Sequence, residues 1–145
     1  MVLLDIAAFS GQLHPLIVHL PIGFLIIAVI FELVSYSKKY EFLKSAVSST
    51  FLLGFIAAVF ACIFGYVLSL SGDYDYKELN DHKIAGISLA LGTGLLFLLV
   101  SDPVKKLIEI RRSVFSGLCI FIVALVSYTG HQGGRLTHGS EYLSM

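Results

Sequence analysis

Long apolar runs separated by short polar segments make up most of the chain. A membrane-spanning helix needs about 20 mostly apolar residues, and four stretches qualify. They cover residues 15–36, 45–71, 82–101 and 113–131, and the fixed charges within them are Glu32 and Lys83 alone. The pattern therefore predicts an all-α integral membrane protein, a four-helix bundle forming a single membrane domain over residues 1–145.

Basic residues in the connections predict how the bundle is oriented. The connections after the first and third runs contain seven of the ten Lys and Arg residues: Lys38, Lys39, Lys44, Lys105, Lys106, Arg111 and Arg112. The second connection is acidic, with Asp73, Asp75, Glu78 and Asp81 against Lys77. Because cytoplasmic loops are enriched in Lys and Arg, we expect both termini, the loop at 72–81 and the tail at 132–145 to be extracytoplasmic. The expected location is the bacterial cytoplasmic (inner) membrane.

Composition supports a membrane protein and narrows its functions. The chain is 57% hydrophobic and 14% charged, whereas an average soluble domain is about 25% charged. Its formal net charge of zero provides no field that would attract nucleic acid. Cys62 and Cys119 lie inside apolar runs and are interpreted as buried thiols. Residues 1–13 lack a basic n-region, so we expect the first helix to act as an uncleaved insertion signal.

Prolines, glycines and polar residues predict helix ends and one irregularity. Pro21 removes a backbone hydrogen bond inside the first helix and should kink it. Asn80 or Asp81 is placed to cap the third helix. Gly133 and Gly134 are predicted to end the fourth helix.

Glu32 lies about one turn from the basic end of the first run. We expect its carboxylate to extend toward Lys38 or Lys39 at the interface. The alternative is a proton-relay role, since ionisable groups within membrane spans are often functional.

All five histidines fall at the predicted outer end of the bundle. They come from the first, third and fourth helices and from the tail: His14, His19, His82, His131 and His138. Neutral imidazole is a common metal ligand and a common axial ligand of haem iron. The cluster therefore predicts a cofactor site near the outer face.

His19 and His82 are the predicted axial pair of a haem b. They belong to helices that lie diagonally in an up-down bundle, and facing helices can each offer one ligand to a cofactor. Each is followed four residues later by a glycine, Gly23 or Gly86, on the same helix face. Such a glycine leaves room for a flat ring, although small residues also favour ordinary packing between membrane helices.

The remaining histidines and one arginine complete the predicted site. His14 lies five residues before His19, about 140° around a regular helix, so the two cannot face one iron from a regular helix. His131 and His138 could form a second, shallower group with His14. Arg135 is the candidate partner of haem propionates, since its planar guanidinium suits carboxylates.

Three segments resemble a family of bacterial membrane domains known as DUF2231: "LHPLIVHLPIGFLIIAVIFE", "GYVLSLSGDYDYKELNDHKIAGI" and "GHQGGRLTHGSEYL". The motifs concerned are His14-Pro15, His19-x-Pro21, His82 and Thr137-His138-Gly139, and the resemblance extends over nearly the whole chain. The family implies this fold but no established activity. In related bacterial proteins a similar domain is joined to segments that look like c-type cytochromes, which implies a redox setting.

Three functions follow from these observations. The first is a small b-type cytochrome-like subunit that transfers electrons between a quinone pool and an outer-side partner such as a c-type cytochrome. The second is a membrane protein that binds copper or zinc through His19 and His82 without a porphyrin. The third is a non-catalytic anchor or assembly subunit of an envelope complex. An electron-transfer or accessory role is favoured over that of a free-standing enzyme.

Overall fold

A computed structural model describes residues 9, 11–70, 72–108 and 110–139. This part of the chain is helical and contains no strand. Four helices are long and apolar enough to cross a membrane: His14–Val34, Lys38–Ser69, Tyr76–Val100 and Arg112–His138, termed the first to fourth spans. The predicted all-α, four-span membrane fold is therefore confirmed.

The four spans form a closed ring of neighbours. Each span packs against the next and the fourth packs against the first, so the first and third spans lie diagonally. Between 28% and 33% of the most apolar part of each span is buried within the protein, which leaves the remaining apolar surface for lipid. We call the end that contains His14, His82 and His131 the histidine end, and the opposite end the basic end.

The core is filled by large side chains toward the basic end and by small ones toward the histidine end. Phe51 and Phe115 meet edge to face with ring centroids 6.0 Å apart. Nearer the histidine end the second span buries Ala57, Ala58 and Ala61. Small residues allow membrane helices to approach closely.

The first span is interrupted at Val18, between the helices His14–Ile17 and His19–Val34. Pro21 has no amide hydrogen for the carbonyl four residues earlier. The next helical bond, from the Ile22 amide to the Val18 carbonyl, is long at 3.4 Å. The predicted irregularity is thus confirmed.

The third span begins at Tyr76 rather than at the predicted position 82. Its cap is Asp75, whose side chain accepts a hydrogen bond from the Glu78 amide at 2.9 Å. The prediction of Asn80 or Asp81 as the cap is wrong, because the earlier aspartate already satisfies the free amides of the first turn.

The fourth span continues to His138, so the prediction that Gly133 and Gly134 end it is wrong. Gly139 ends the helix instead, and its φ of +94° favours glycine. The predicted tail at 132–145 is therefore helical as far as His138, and residues 140–145 lie outside the described residues.

A buried polar network joins the first and fourth spans at the basic end. Glu32 is 3% exposed. It accepts hydrogen bonds at 3.1 Å from Arg112 Nε and from Ser116 Oγ. Arg112 also donates to the Glu32 carbonyl and to Ser35 Oγ, at 3.1 and 2.6 Å. Its guanidinium lies 3.9 Å from the centroid of the Tyr36 ring, within cation–π range.

The expectation that Glu32 extends toward Lys38 or Lys39 is wrong. Glu32 points into the bundle, and its partner Arg112 comes from the other end of the sequence. A carboxylate this deeply buried needs a partner within the protein, because water no longer compensates its charge.

Candidate functional site

A cavity of about 570 Å³ opens at the histidine end and is lined by residues of all four spans. Its volume lies within the range of about 300–1,000 Å³ that is typical of ligand sites. Four of the five histidines line it: His14, His19, His82 and His138. Four of the five histidines predicted to converge therefore lie around one space, and His131 does not.

His14 reaches across to the second span. Its Nδ1 lies 2.9 Å from the carbonyl oxygen of Ala61. A carbonyl can only accept, so Nδ1 carries the proton and the neutral ring keeps a free electron pair on Nε2. Metal-binding histidines are typically oriented by such a second hydrogen bond.

The His14 ring lies against the backbone at Gly65. A Cβ atom on Gly65 would come within 2.8 Å of His14 Cε1, closer than side chains normally approach. The absence of a side chain at position 65 therefore leaves the space that the His14 imidazole occupies.

His82 enters from the third span and lies against the fourth. A Cβ atom on Gly133 would be 3.2 Å from His82 Cε1. The Nδ1 atom of His82 is buried without a hydrogen-bond partner of good geometry, and the Thr129 backbone lies close enough for a weak hydrogen bond to the ring. A buried polar atom without a partner is uncommon in proteins and calls for an explanation.

The two rings meet in a T-shaped contact across the diagonal of the bundle. The centroids of His14 and His82 are 6.3 Å apart, and their planes are 80° from parallel. Two imidazoles that bind one metal ion from opposite sides have centroids about 6.2 Å apart, since the metal–nitrogen bond is about 2.0 Å and the nitrogen lies about 1.1 Å from the centroid. The observed centroid separation is within about 0.1 Å of that distance.

His19, the predicted partner of His82, has a different environment. It is exposed, and its Nδ1 lies 2.7 Å from the Pro15 carbonyl on its own helix. It lines the cavity wall, but the described ring contact of His82 is with His14. A Cβ atom placed on Gly23 would have no neighbour within 4 Å. A Cβ atom placed on Gly86 would meet only Cys62 Sγ, at 3.9 Å. Gly86 lines the cavity and Gly23 does not.

His131 and Arg135 lie on the fourth span outside this pair. His131 is exposed and does not line the cavity. Arg135 forms a 2.8 Å salt bridge with Glu78, and its Nε is buried without a partner. Its guanidinium thus joins the fourth span to the third, and its predicted role toward haem propionates stays a prediction.

Three features of the site were not predicted from the sequence. Gly65 and Gly133 contact the imidazoles from neighbouring helices; the sequence indicated that Gly65 adds room at a similar depth, but the glycine paired with each histidine was expected on the same helix. Lys83 lines the cavity wall, with its Nζ 5.4 Å from the centroid of the Tyr66 ring. Its position immediately after His82 is the signal that could have identified it as the cation nearest the site.

His14 and His82 are the two possible donors whose rings are in contact, and His19, His138 and Cys62 line the same cavity. Within the described ranges, no three His, Cys, Asp or Glu side chains come together as a metal site. Structural zinc needs four protein ligands and catalytic zinc three. A porphyrin supplies four nitrogen ligands itself and needs at most two from the protein.

Comparison with known proteins identifies one family. A family model described as "Predicted membrane protein (DUF2231)" matches residues 11–141. No curated protein and no solved structure matches the chain.

Proposed function

The chain belongs to the DUF2231 family of predicted membrane proteins, and on that premise we propose that it is a small membrane b-type cytochrome-like subunit. In this proposal His14 and His82 hold a haem b in the cavity at the histidine end. Its role is electron transfer, with quinone and a c-type cytochrome or another envelope redox protein as the proposed partners.

The observation that supports the proposal is the pair of opposed imidazoles at 6.3 Å. Both rings lie against glycines of neighbouring spans, so their positions are set by the helices rather than by loops. Facing helices of a bundle are a common source of paired cofactor ligands. The proposal therefore moves the ligand on the first span from His19 to His14.

The donor set favours haem over a bare copper or zinc ion. Two imidazoles leave a zinc ion short of protein ligands, and no third strong donor joins the pair among the described residues. A cavity of about 570 Å³ is also far larger than a single ion needs. The same two imidazoles and the same space suit a flat macrocyclic ligand.

The protein's own residues account for binding, orientation and tuning. The Ala61 carbonyl fixes the tautomer and direction of His14. The half-buried positions of both rings keep the site away from bulk water, and Lys83 at the wall provides a positive charge for an acidic substituent. When bound, haem supplies one-electron transfer, with a potential tuned by its axial ligands and surroundings.

Titration of haemin into the purified, detergent-solubilised protein tests the proposal. We expect one haem per chain with a six-coordinate, low-spin spectrum. The near-perpendicular ring planes should also give a strongly anisotropic low-spin ferric EPR signal. His14→Ala and His82→Ala should each abolish the low-spin species, whereas His19→Ala and His131→Ala should retain it.

Three results would contradict the proposal. Binding of copper or zinc in place of haemin would favour the metal-site function. Binding of neither, together with co-purification in a larger assembly, would favour an anchor subunit. Loss of the low-spin signal in His19→Ala but not in His14→Ala would return the ligand assignment to the pair His19 and His82.

A further inference from the structure

A second, smaller cavity of about 210 Å³ lies at the basic end. Its polar wall comes from the first, second and fourth spans and from the connection between the third and fourth: Glu32, Lys44, Arg112 and Lys105. The rest of its lining is apolar: Val47, Leu99, Val100, Ile108, Ile110 and Phe115. The cavity therefore offers cations and hydrocarbon to the same ligand.

The positive charge of this cavity is not neutralised by its one described acid. The carboxylate of Glu32 is already engaged by Arg112 and Ser116. Neither Lys44 nor Lys105 forms a salt bridge to any residue in the described ranges. Among the described residues, the two ammonium groups thus have no carboxylate partner, and they lie beside a guanidinium whose Nε and Nη2 hold the buried network together.

We propose that this cavity binds the phosphate headgroup of an anionic phospholipid. Phosphate is recognised by Lys and Arg, and basic sites between transmembrane helices are known to hold acidic lipid headgroups. The apolar wall suits the first segment of an acyl chain, which a soluble anion lacks. A free inorganic phosphate shares the headgroup's chemistry, and the experiment must distinguish the two sources.

The absence of Trp from the chain permits a site-specific test. Ile108 lines the cavity and is 53% exposed, so Ile108→Trp creates a single reporter beside it. Ile84→Trp, 57% exposed on the third span near the histidine end, is the control reporter for general lipid contact. Each variant is reconstituted in phosphatidylcholine vesicles that contain either brominated phosphatidylglycerol or brominated phosphatidylcholine as the quenching lipid.

We expect brominated phosphatidylglycerol to quench the Ile108→Trp fluorescence at about one fifth, or less, of the mole fraction that brominated phosphatidylcholine needs for the same quenching. The reason is that one lysine near an anionic lipid contributes about fivefold in affinity. The control reporter should not distinguish the two lipids. Adding Lys44→Gln and Lys105→Gln to the Ile108→Trp protein should remove the preference. Adding Lys38→Gln and Lys106→Gln, which remove two exposed lysines outside the cavity, should leave it.

Several results would overturn the proposal. Equal quenching of Ile108→Trp by the two lipids would show no headgroup site. Equal loss in the two double-glutamine variants would show a diffuse surface charge instead of a cavity. Relief of the phosphatidylglycerol quenching by millimolar inorganic phosphate would identify a site for a free anion. None of these measurements involves haem, so the inference stands or fails independently of the proposed function.

Discussion

The two ends of the bundle differ in how fully their buried polar groups are hydrogen-bonded. At the basic end, the Glu32 carboxylate is paired with Arg112 and Ser116. At the histidine end, the Nδ1 of His82 and the Nε of Arg135 are buried without a hydrogen-bond partner of good geometry. Satisfied networks stabilise a unique packing, whereas unsatisfied groups cost stability. The contrast indicates that the basic end maintains the fold, and that the histidine end contains groups suited to binding something else.

The histidine end is also less tightly packed than the basic end. The cavity at the histidine end is more than twice the volume of the cavity at the basic end, about 570 against 210 Å³. Two glycines of the larger cavity, Gly65 and Gly133, lie against imidazole rings, whereas Phe51 and Phe115 fill the core toward the basic end. Space and unsatisfied polar atoms therefore occur together at the histidine end.

The largest expected effect concerns the sides of the membrane on which the two ends lie. We predict that the histidine end is extracytoplasmic, because loops enriched in Lys and Arg are generally cytoplasmic. In a background with Cys62→Ala and Cys119→Ala, Asp73→Cys should react with an impermeant thiol reagent in intact cells or spheroplasts. Lys106→Cys should react only after lysis. The reverse pattern would place the haem site and the lipid site on the opposite sides.

Breaking the basic-end network should cost the most stability. Arg112→Met leaves the Glu32 carboxylate buried without its cation, and we expect a loss of about 3–5 kcal/mol in the free energy of unfolding. Adding Glu32→Gln should restore much of that loss. The neighbouring exposed Arg111→Met should change stability by less than about 0.5 kcal/mol. Reversible unfolding in mixed micelles measures all three, and an undisturbed Arg112→Met protein would contradict a stabilising role for the network.

Replacing glycine by alanine should have different effects at a position that contacts an imidazole ring and at a position with open space around it. Gly65→Ala forces a methyl group against the His14 ring, and we expect overpacking to cost about 1–3 kcal/mol and to weaken haemin binding. Gly23→Ala meets nothing within 4 Å and should stabilise the helix by up to about 1 kcal/mol. Thermal unfolding and haemin titration measure both effects. If the two variants behave alike, Gly65 does not position His14.

The smallest effect is a gain in stability with a loss of function. His82→Leu removes a buried Nδ1 that has no hydrogen-bond partner of good geometry, and we expect the haem-free protein to become about 1 kcal/mol more stable while low-spin haem binding disappears. His14→Leu removes a ring that is hydrogen-bonded to Ala61 and should not stabilise the protein. Equal destabilisation by both substitutions would mean that the two imidazoles do not differ in hydrogen bonding.

Long apolar runs predicted the four spans because twenty consecutive apolar residues leave few alternatives to a membrane helix. Helix ends were less predictable. Asp75, Asn80 and Asp81 can each cap a helix, and nothing local selects among them. Gly133 shows why glycine is an ambiguous signal in a sequence. Glycine is common where helices end, and it is also common where another group packs closely against a helix. Here the group is the His82 ring from another span.

Side-chain partners depend on helix rotation, which the sequence does not specify locally. The five-residue spacing of His14 and His19 indicates that they cannot face one iron from a regular helix, but not which of them faces inward. In the structure His14 lies beside His82. Glu32 likewise has cations nearby in the sequence, Lys38 and Lys39, but its partner Arg112 lies 80 residues away.

The break at Val18 has a mechanical consequence. His14 belongs to a four-residue helical segment that is joined to the rest of the first span at an irregular position. On its other side, Gly11 lies directly against the backbone of Leu68. A small rotation of this segment can change the gap between the two imidazoles without sliding any long helix against its neighbours. The long helices can therefore keep their packing while the segment that carries His14 changes its angle to the rest of the first span.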